Sequence, residues 1–449
     1  MANATFFFIT LGCAKNEVDT DKMRTRLLDA GLVEAASIED ASVVLINTCS
    51  FLASATSESI EATLSVVSAQ EDLDAHAPII MCGCVPSRYG DELDDELPEV
   101  SAFVSVEDEE DIVRIVCEVL GIELGANPAA DAALRTIEGA SAYVKISDGC
   151  DRFCTFCAIP FIRGRYASRT QADICREVRE LMEGGVREIV LIGQDTGVWG
   201  RDLPGSLDLA WLLDEVARIV RPWGGWVRVL YLQPEGMTDR LIAALRDIPE
   251  VLPYIDIPIQ HCCAPILRRM GRTGDSKELA TLFSRLREEI PGMVLRTTGL
   301  VGFPGETERD FQELLEFVER QEFDYTSVFA YSAEEGTRAA LMDGQVDEQA
   351  KLERAQRLID VTEQLGFSAT AAHVGETVDV IIDGIEQTED GTELVGHAWF
   401  QAPDCDGAVH IEEGEASVGD VVRCKLVDSF CYELVGVPVG EASGDGVDS

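Results

Sequence analysis

Cys150-Asp151-Arg152-Phe153-Cys154-Thr155-Phe156-Cys157 is the stretch on which the reading of this chain turns. Three thiols this close together are not core filler, and no fourth cysteine follows nearby. A structural zinc site takes four protein ligands. Three thiolates suit instead a [4Fe–4S] cluster that leaves one iron open to an outside ligand. A bidentate amino-carboxylate, such as the methionine end of S-adenosylmethionine, fits that open position. Cys150, Cys154 and Cys157 are therefore candidate metal ligands and candidate catalytic residues, with a structural metal knuckle as the competing reading.

Outward from this motif, strand-like apolar runs at 143–146, 188–192, 227–232, 254–258, 294–301 and 326–331 alternate with helical segments at 171–183, 207–220, 238–246, 277–289 and 308–321. Alternation of this kind predicts parallel strands with covering helices, an α/β fold. Six such units fit either a doubly wound sheet or a partial barrel, and periodicity alone leaves both open. A long helical segment at 349–372 closes the region. Residues 1–120 repeat the pattern on a smaller scale, with runs at 5–10, 42–47, 78–81 and 101–106, and helices at 19–30 and 54–69. The Gly-, Ala- and Pro-containing stretch 120–133 reads as a linker. Past His373, short alternating runs at 377–382, 394–400, 408–411 and 421–427 predict a small β-barrel or sandwich. The Gly-, Ser- and Asp-rich last ten residues are expected to be disordered. The expected domains are thus 1–120, 136–370 and 372–438, with a tail at 439–449.

A chain of 449 residues has room for two to four domains. No apolar run approaches 18 residues, which excludes a spanning helix. Phe6 to Cys13 faintly imitates a lipoprotein signal but lacks a basic leader, so a buried first strand and a cytoplasmic protein are expected. Fourteen cysteines are too few for a disulfide scaffold of this size. Against 82 acidic residues stand only 36 Lys and Arg, a net charge of −46. Such a field repels nucleic acid and draws in basic partners. A general acidity of the kind seen in salt-adapted cells gives the same number, and both readings stay open.

A second set of thiols follows the first three expected strands: Cys13 in Leu11-Gly12-Cys13-Ala14-Lys15-Asn16, Cys49 in Asn47-Thr48-Cys49, and Cys84 in Cys82-Gly83-Cys84. Singly, each reads as a small buried residue. In a parallel sheet, however, the carboxyl ends of the strands share one edge, so the three can converge there. Helix N-termini at that edge would favour an anionic cluster. Cys82, two residues before Cys84, could point the same way along a strand. The remaining cysteines (117, 175, 262, 263, 405, 424 and 431) show no such arrangement. Cys262 and Cys263 beside His261 point to different sides and read as packing.

The cysteine motif, with aromatic Phe156 before its last thiol, resembles the signature of the radical S-adenosylmethionine superfamily. Cys13 with Lys15-Asn16, Asn47-Thr48-Cys49 and Gly83-Cys84 are similar to the ligand motifs of the methylthiotransferase family within it. The likeness covers nearly the whole chain, including Tyr254-Ile-Asp-Ile-Pro-Ile-Gln-His261 and Met270-Gly-Arg272. The last module is similar to a TRAM domain. The resemblance implies an N-terminal parallel α/β domain, a central partial (β/α)6 barrel and a small C-terminal β-barrel. It implies two [4Fe–4S] clusters, one on Cys150, Cys154 and Cys157 and an auxiliary one on Cys13, Cys49 and Cys84, with Cys82 left as a strand residue. S-adenosylmethionine would lie at the carboxyl ends of the barrel strands. Gly193-Gln194-Asp195 would meet its amino group, and Gly302 and Gly305 would let the backbone approach its adenine. An ordinary βα turn is the alternative at both places.

The family divides between enzymes that modify a tRNA adenosine and enzymes that modify an aspartate of a ribosomal protein. Phe329-Ala-Tyr-Ser332-Ala-Glu334-Glu335-Gly336-Thr337 resembles the second branch. So does Ala402-Pro403-Asp404-Cys405-Asp406-Gly407, although it departs at two positions from the branch's Ala-Pro-Glu-Ile-Asp-Gly. Between Ala371 and Gly440 only Arg423 and Lys425 face 15 acidic residues, a net of −13. Phosphate contacts come mainly from Lys and Arg, so this module suits a basic protein better than RNA. The implied reaction is methylthiolation of the β-carbon of one aspartate in small-subunit ribosomal protein S-twelve. That C–H bond is too weakly acidic for an ordinary side-chain base, and a radical route avoids the difficulty. Both clusters must then face one space between domains. An electron donor and a sulfur donor are implied as partners, neither specified by any motif; no membrane is expected, nor nucleic acid as direct substrate. The rival readings are a tRNA methylthiotransferase and a non-enzymatic iron–sulfur carrier.

Overall fold

Phe6 and Phe8 of strand β1 (Thr5–Thr10) face one side of a sheet, against Met23, Leu27, Ile112 and Val116, while Phe7 and Ile9 face the other. A strand apolar on both faces belongs in the middle of a covered parallel sheet. That is its place in the computed structural model, which describes residues 4–72, 76–123, 135, 139–388, 391–412 and 414–439. Most of the expected linker at 120–133, and all of the expected tail except residue 439, lie outside the described residues. The N-terminal sheet runs β2 (Val33–Glu34), β1, β3 (Val43–Thr48), β4 (Ile79–Gly83), β5 (Val100–Ser105), with every pairing parallel. The two exposed residues of β2 are too few to be seen in the sequence. The cysteines therefore follow the first, third and fourth strands. The winding direction reverses between β1 and β3, and in such sheets ligands gather outside the carboxyl ends at the reversal. Cys13 and Cys49 flank it.

The central region has six parallel strands in two sheets: β6 (Ser141–Lys145), β7 (Glu188–Ile192) and β8 (Trp226–Val229), then β9 (Tyr254–Asp256), β10 (Val294–Val301) and β11 (Tyr325–Ala330). A single parallel bridge, Val227 to Val251, joins the two. Spatial order equal to sequence order settles the choice left open by periodicity: this is a partial (β/α)6 barrel and not a doubly wound sheet. The outward side chains, among them Val144, Leu191, Val229, Ile255 and Leu295, pack on helix residues such as Val178, Leu213, Phe283 and Phe311. The inner wall is closed by neighbours: Val190, Ile192, Leu230, Tyr254 and Tyr325 meet Val18 of the Ala14–Asp29 helix and the apolar residues of the last module.

That module is a closed barrel of five strands, β12 (Thr377–Thr388), β13 (Gly391–Ala398), β14 (Val409–Ile411), β15 (Val421–Phe430) and β16 (Glu433–Pro438), in the order β12-β13-β14-β16-β15. The closing strand β16 escaped the sequence reading. The module is docked through Glu188 of β7, fully buried, which pairs with Arg228 at 2.6 Å and with His397 of β13 at 2.5 Å. The loop Ala402 to Gly407 reaches the barrel's inner wall. Asp406 accepts from Tyr254 Oη and lies 3.6 Å from Arg296, and Tyr143 donates to Pro403 O at 2.9 Å.

Candidate active site

The cysteine loop leaves β6 through Ser147-Asp148-Gly149. Gly149 has φ +70°, and a Cβ there would collide with the Arg165 carbonyl, so only glycine serves. The loop is clamped to the end of the Ala264–Arg269 helix, where Thr155 donates from N to Met270 O (2.9 Å) and from Oγ1 to Arg269 O (2.8 Å). Phe153 adopts φ +51°, a conformation that a bulky side chain holds only when its surroundings impose it. Phe156 meets Phe303 edge to face at 6.3 Å, and Phe303 meets Tyr331 at 5.3 Å. Burial pushes the Cys150 thiol up and the Cys157 thiol up to about 12. The backbone N–H groups of Arg152 and Ile159 oppose this, and the Cys154 charge adds to it. The three sulfurs thus stand within one another's field.

The second triad is built at the edge of the N-terminal sheet. Asn16 ties it together: its Oδ1 accepts from the Cys13 thiol at 3.4 Å, and its Nδ2 donates to Thr48 O at 2.9 Å and lies 4.0 Å from Cys84 Sγ. A Cβ on Gly12 would lie 2.8 Å from Cys49 Cβ, which puts the first and third strand ends in contact. Gly83, at φ +90°, has no room for a side chain beside Asn47 Oδ1. Burial lifts the Cys49 thiol to about 11; the Phe51 N–H opposes this, and the charges of Cys84 and Cys13 reinforce it. Burial also raises Cys84, with Arg163 opposing. Among the described residues, no three Cys, His, Asp or Glu side chains close on a point fit for a single metal ion. Three thiolates in each set would repel one another, a charge that a polynuclear cationic group would offset. Cys82 instead faces the apolar core beside Phe6, Leu45 and Val104. Cys262 and Cys263 enter two different apolar clusters, and the Cys263 thiol donates to Asp310 at 3.0 Å.

The two cysteine sets are linked through Cys84. Cys84 packs against Ala158 and Ile162, and Ala158 directly follows Cys157. Arg163 donates from Nη2 to Cys84 Sγ (3.8 Å) and from Nη1 to Asp19 (3.0 Å), and lies 3.3 Å from Asp148. Lys145 pairs with Asp19 and, at 2.7 Å, with Asp148. Burial alone would raise the Asp148 carboxyl, but Lys145 and Arg163 hold it well below the usual range. An inter-domain cavity of 240 Å3, lined by Asp19, Lys22, Glu109, Lys145 and Asp148 among others, adjoins this network. A further seam holds the domains. Buried Glu334 accepts from Arg88 at 3.2 Å and from Ala53 N at 3.0 Å, and Arg88 also donates to Ser50 O at 2.7 Å.

The turn after β7 lies beside the cysteine loop. Arg152 donates to Asp195 at 2.6 Å and to Glu235 at 3.0 Å, and Gln194 donates to Asp148 at 3.1 Å. Gln194 Oε1 and Asp195 Oδ1 are buried with no hydrogen-bond partner. Gly193 has Ser147 Oγ where a Cβ would stand, at 2.6 Å. After β10, the space that side chains on Gly302 and Gly305 would need is filled by Lys351 and Arg269 respectively. Glu306 accepts from Gly302 N at 3.0 Å and from Arg354 at 2.8 Å. Sequence reasoning did not single out Arg163, Tyr231, Asp256 or Arg296, and it used Lys15 only as motif text. Lys15 is 8% exposed, with Nζ 3.1 Å from the centre of the Tyr231 ring. Nothing local marks a lysine as buried; only the packed domains do.

Residues 5–105 match the uncharacterized protein family UPF0004, residues 144–318 the radical SAM superfamily and residues 374–439 the TRAM domain. The chain is 41% identical over 438 residues to the ribosomal protein uS12 methylthiotransferase RimO of Geobacter sulfurreducens, covering 95% of this chain and 97% of that one. It is 39% identical over 451 residues to the protein of the same name from Trichlorobacter lovleyi, covering 98% and 99%. Among solved structures, the radical S-adenosylmethionine methyltransferase TsrM from Kitasatospora setae shares the fold with a TM-score of 0.56 at 14% identity, over 74% of this chain and 75% of that one. Among the described residues no helix is long and apolar enough to cross a membrane. With the motifs, the three folds and the full-length relatives in agreement, the chain belongs to the RimO family of radical S-adenosylmethionine methylthiotransferases.

Proposed function

We propose that this enzyme methylthiolates the β-carbon of one aspartate in ribosomal protein uS12, with one [4Fe–4S] cluster on Cys150, Cys154 and Cys157 and a second on Cys13, Cys49 and Cys84. The observation that carries the reading is the packing of Cys84 on Ala158 and Ile162, which brings one thiol of the N-terminal set against the residues that follow Cys157. When bound, the clusters and S-adenosylmethionine supply the radical and sulfur chemistry that an unactivated carbon requires. The chain's own residues hold and orient. Arg152, fixed by Asp195 and Glu235, braces the cysteine loop. The unpartnered Gln194 Oε1 and Asp195 Oδ1 suit the amino group of S-adenosylmethionine, with Gly193 in the same turn and the Gly302–Gly305 turn beside the adenine. Burial raises the Cys84 thiol, and Arg163 and Asn16 present N–H groups that oppose this. The Phe156, Phe303 and Tyr331 rings wall one side of the loop from water. The acidic C-terminal barrel suits a basic protein substrate and steers its approach.

The test is reconstituted enzyme acting on uS12, read by mass spectrometry. A single aspartate should gain one methylthio group, and iron should reach about eight atoms per chain. Cys84→Ala should abolish product while 5′-deoxyadenosine is still released, and Cys82→Ala should remain active. Iron at half that level, or product retained in Cys84→Ala, would remove the second cluster from the scheme. Methylthio-adenosine in tRNA with uS12 untouched would overturn the substrate.

A further inference from the structure

We propose that the Lys15 ammonium binds the side-chain carboxylate of the substrate aspartate and so holds its β-carbon between the two cysteine triads. This rests on the aspartate reading above and adds the group that grips it. Lys15 stands in the first turn of the Ala14–Asp29 helix, two residues beyond Cys13 and at the carboxyl edge of the sheet. It is more than nine-tenths buried, yet among the described residues its Nζ has no ion-pair partner and no hydrogen-bond acceptor; it faces the Tyr231 ring. A buried ammonium normally comes paired, because leaving it alone is costly.

The neighbouring charges show why Lys15 is the one left over. Asp19 and Asp148 are engaged by Lys145 and Arg163. Asp256 accepts the Tyr231 N–H at 3.2 Å, and Arg296 lies 3.6 Å from Asp406. Cys13, Arg163, Asp256 and Asp148 are the titratable groups nearest in effect to Lys15. Asp256 and Asp148 act on Lys15 from a distance, but among the described residues neither pairs with it, so a carboxylate brought to Nζ would be its first direct partner. Tyr231 holds φ +62° at the end of β8, a strained conformation that keeps its ring under the ammonium. A ring face attracts a cation without neutralising it, so the positive charge stays available. In an aspartate side chain the β-carbon adjoins the carboxylate carbon. A carboxylate held by Lys15 would bring that carbon to the carboxyl edge of the sheet, where the Cys13 set stands.

The experiment uses reconstituted holoenzyme with uS12 carrying either the native target aspartate or asparagine there, and measures binding by titration as well as product formation. Wild type should bind the aspartate form more tightly. Lys15→Met should weaken binding of the aspartate form roughly 30-fold or more, the cost of truncating one partner of a buried charge pair. It should leave the asparagine form little changed, so that the preference disappears. Lys15→Arg should restore part of it. Iron content and melting temperature report that the fold and clusters survive. Equal loss for both substrates, or loss of iron, would show that Lys15 only balances the charge of the Cys13 triad and would overturn the proposal. So would unchanged preference in Lys15→Met. If wild type itself leaves the aspartate unmodified, the aspartate reading fails first, whatever Lys15 does.

Discussion

At Arg163 one guanidinium reaches across two domains, with Cys84 Sγ at 3.8 Å and Asp19 at 3.0 Å, and it is almost wholly buried. Without it, Asp19 and Asp148 would share Lys145 alone. Breaking a buried charge network on one side costs on the order of 3–5 kcal/mol. Arg163→Met should therefore lower the urea midpoint of unfolding clearly, and Arg163→Lys by less. An unchanged midpoint would mean that water already screens the acids. The residue scale is also where sequence and structure part company. The six cysteines were legible because their spacing is local or repeats at strand ends. Arg163 was not, because its partners lie 79 and 144 residues away. Lys15 was visible as text beside Cys13, but a lysine's burial depends on what folds over it. Gly302 and Gly305, expected to let the backbone approach an adenine, have a second reason to be glycine: the space a side chain would take is filled by Lys351 and Arg269.

Among the elements, strand β7 shows how the C-terminal barrel is tied down. Glu188 at its start is buried against Arg228, and its second oxygen meets His397 of β13, whose other ring nitrogen lies 2.6 Å from Asp383. Burial alone would lower the pKa of His397, but the Glu188 charge and the hydrogen bonds to Asp383 and Glu188 outweigh it and lift the value to about 9. Glu188 is held down to about 2 against its own burial by Arg228 and His397, and stays ionised throughout. The folded His397 thus binds its proton more tightly than the unfolded one. Its contribution, roughly 3 kcal/mol, is complete below about pH 6.5 and is lost as pH rises through 9. The melting temperature of wild type should fall between pH 7 and pH 10, while His397→Gln starts lower and falls less; parallel curves would rule the pairing out. Elements were otherwise the most legible level. Strands β7 and β10 and the helices Gln171–Glu183 and Glu308–Gln321 match their expected limits, because both apolar periods are strong there. Strand β16 was not among the expected strands; Gly436 and Pro438 break its apolar pattern. The glycine is there because barrel closure brings Val409 Cγ1 to 3.1 Å from where its Cβ would be.

For the whole molecule, the order of domains could be read from the chain but their seating could not, since it depends on a few cations placed at the seams. Lys145 and Arg163 join the N-terminal domain to the barrel at Asp19, and Arg88 joins it again at Glu334. The Ser332 to Thr337 text that pointed to the aspartate branch is therefore also a point of contact between domains. Glu334, 2% exposed, accepts both the Arg88 guanidinium and the first N–H of the Ala53–Asp72 helix, which begins four residues after Cys49. Glu334 touches no thiol and lies outside both triads, so its loss should leave iron content intact. What it should change is the spacing between the triads, on which sulfur transfer to a carbon radical would depend. A displacement of about 1 Å can cost on the order of 100-fold in a positioned reaction. Glu334→Ala should accordingly retain 5′-deoxyadenosine release but lower methylthiolated uS12 per 5′-deoxyadenosine by between about tenfold and 100-fold, whereas a wild-type ratio in this variant would mean that the Arg163 and Lys145 seam alone sets the distance.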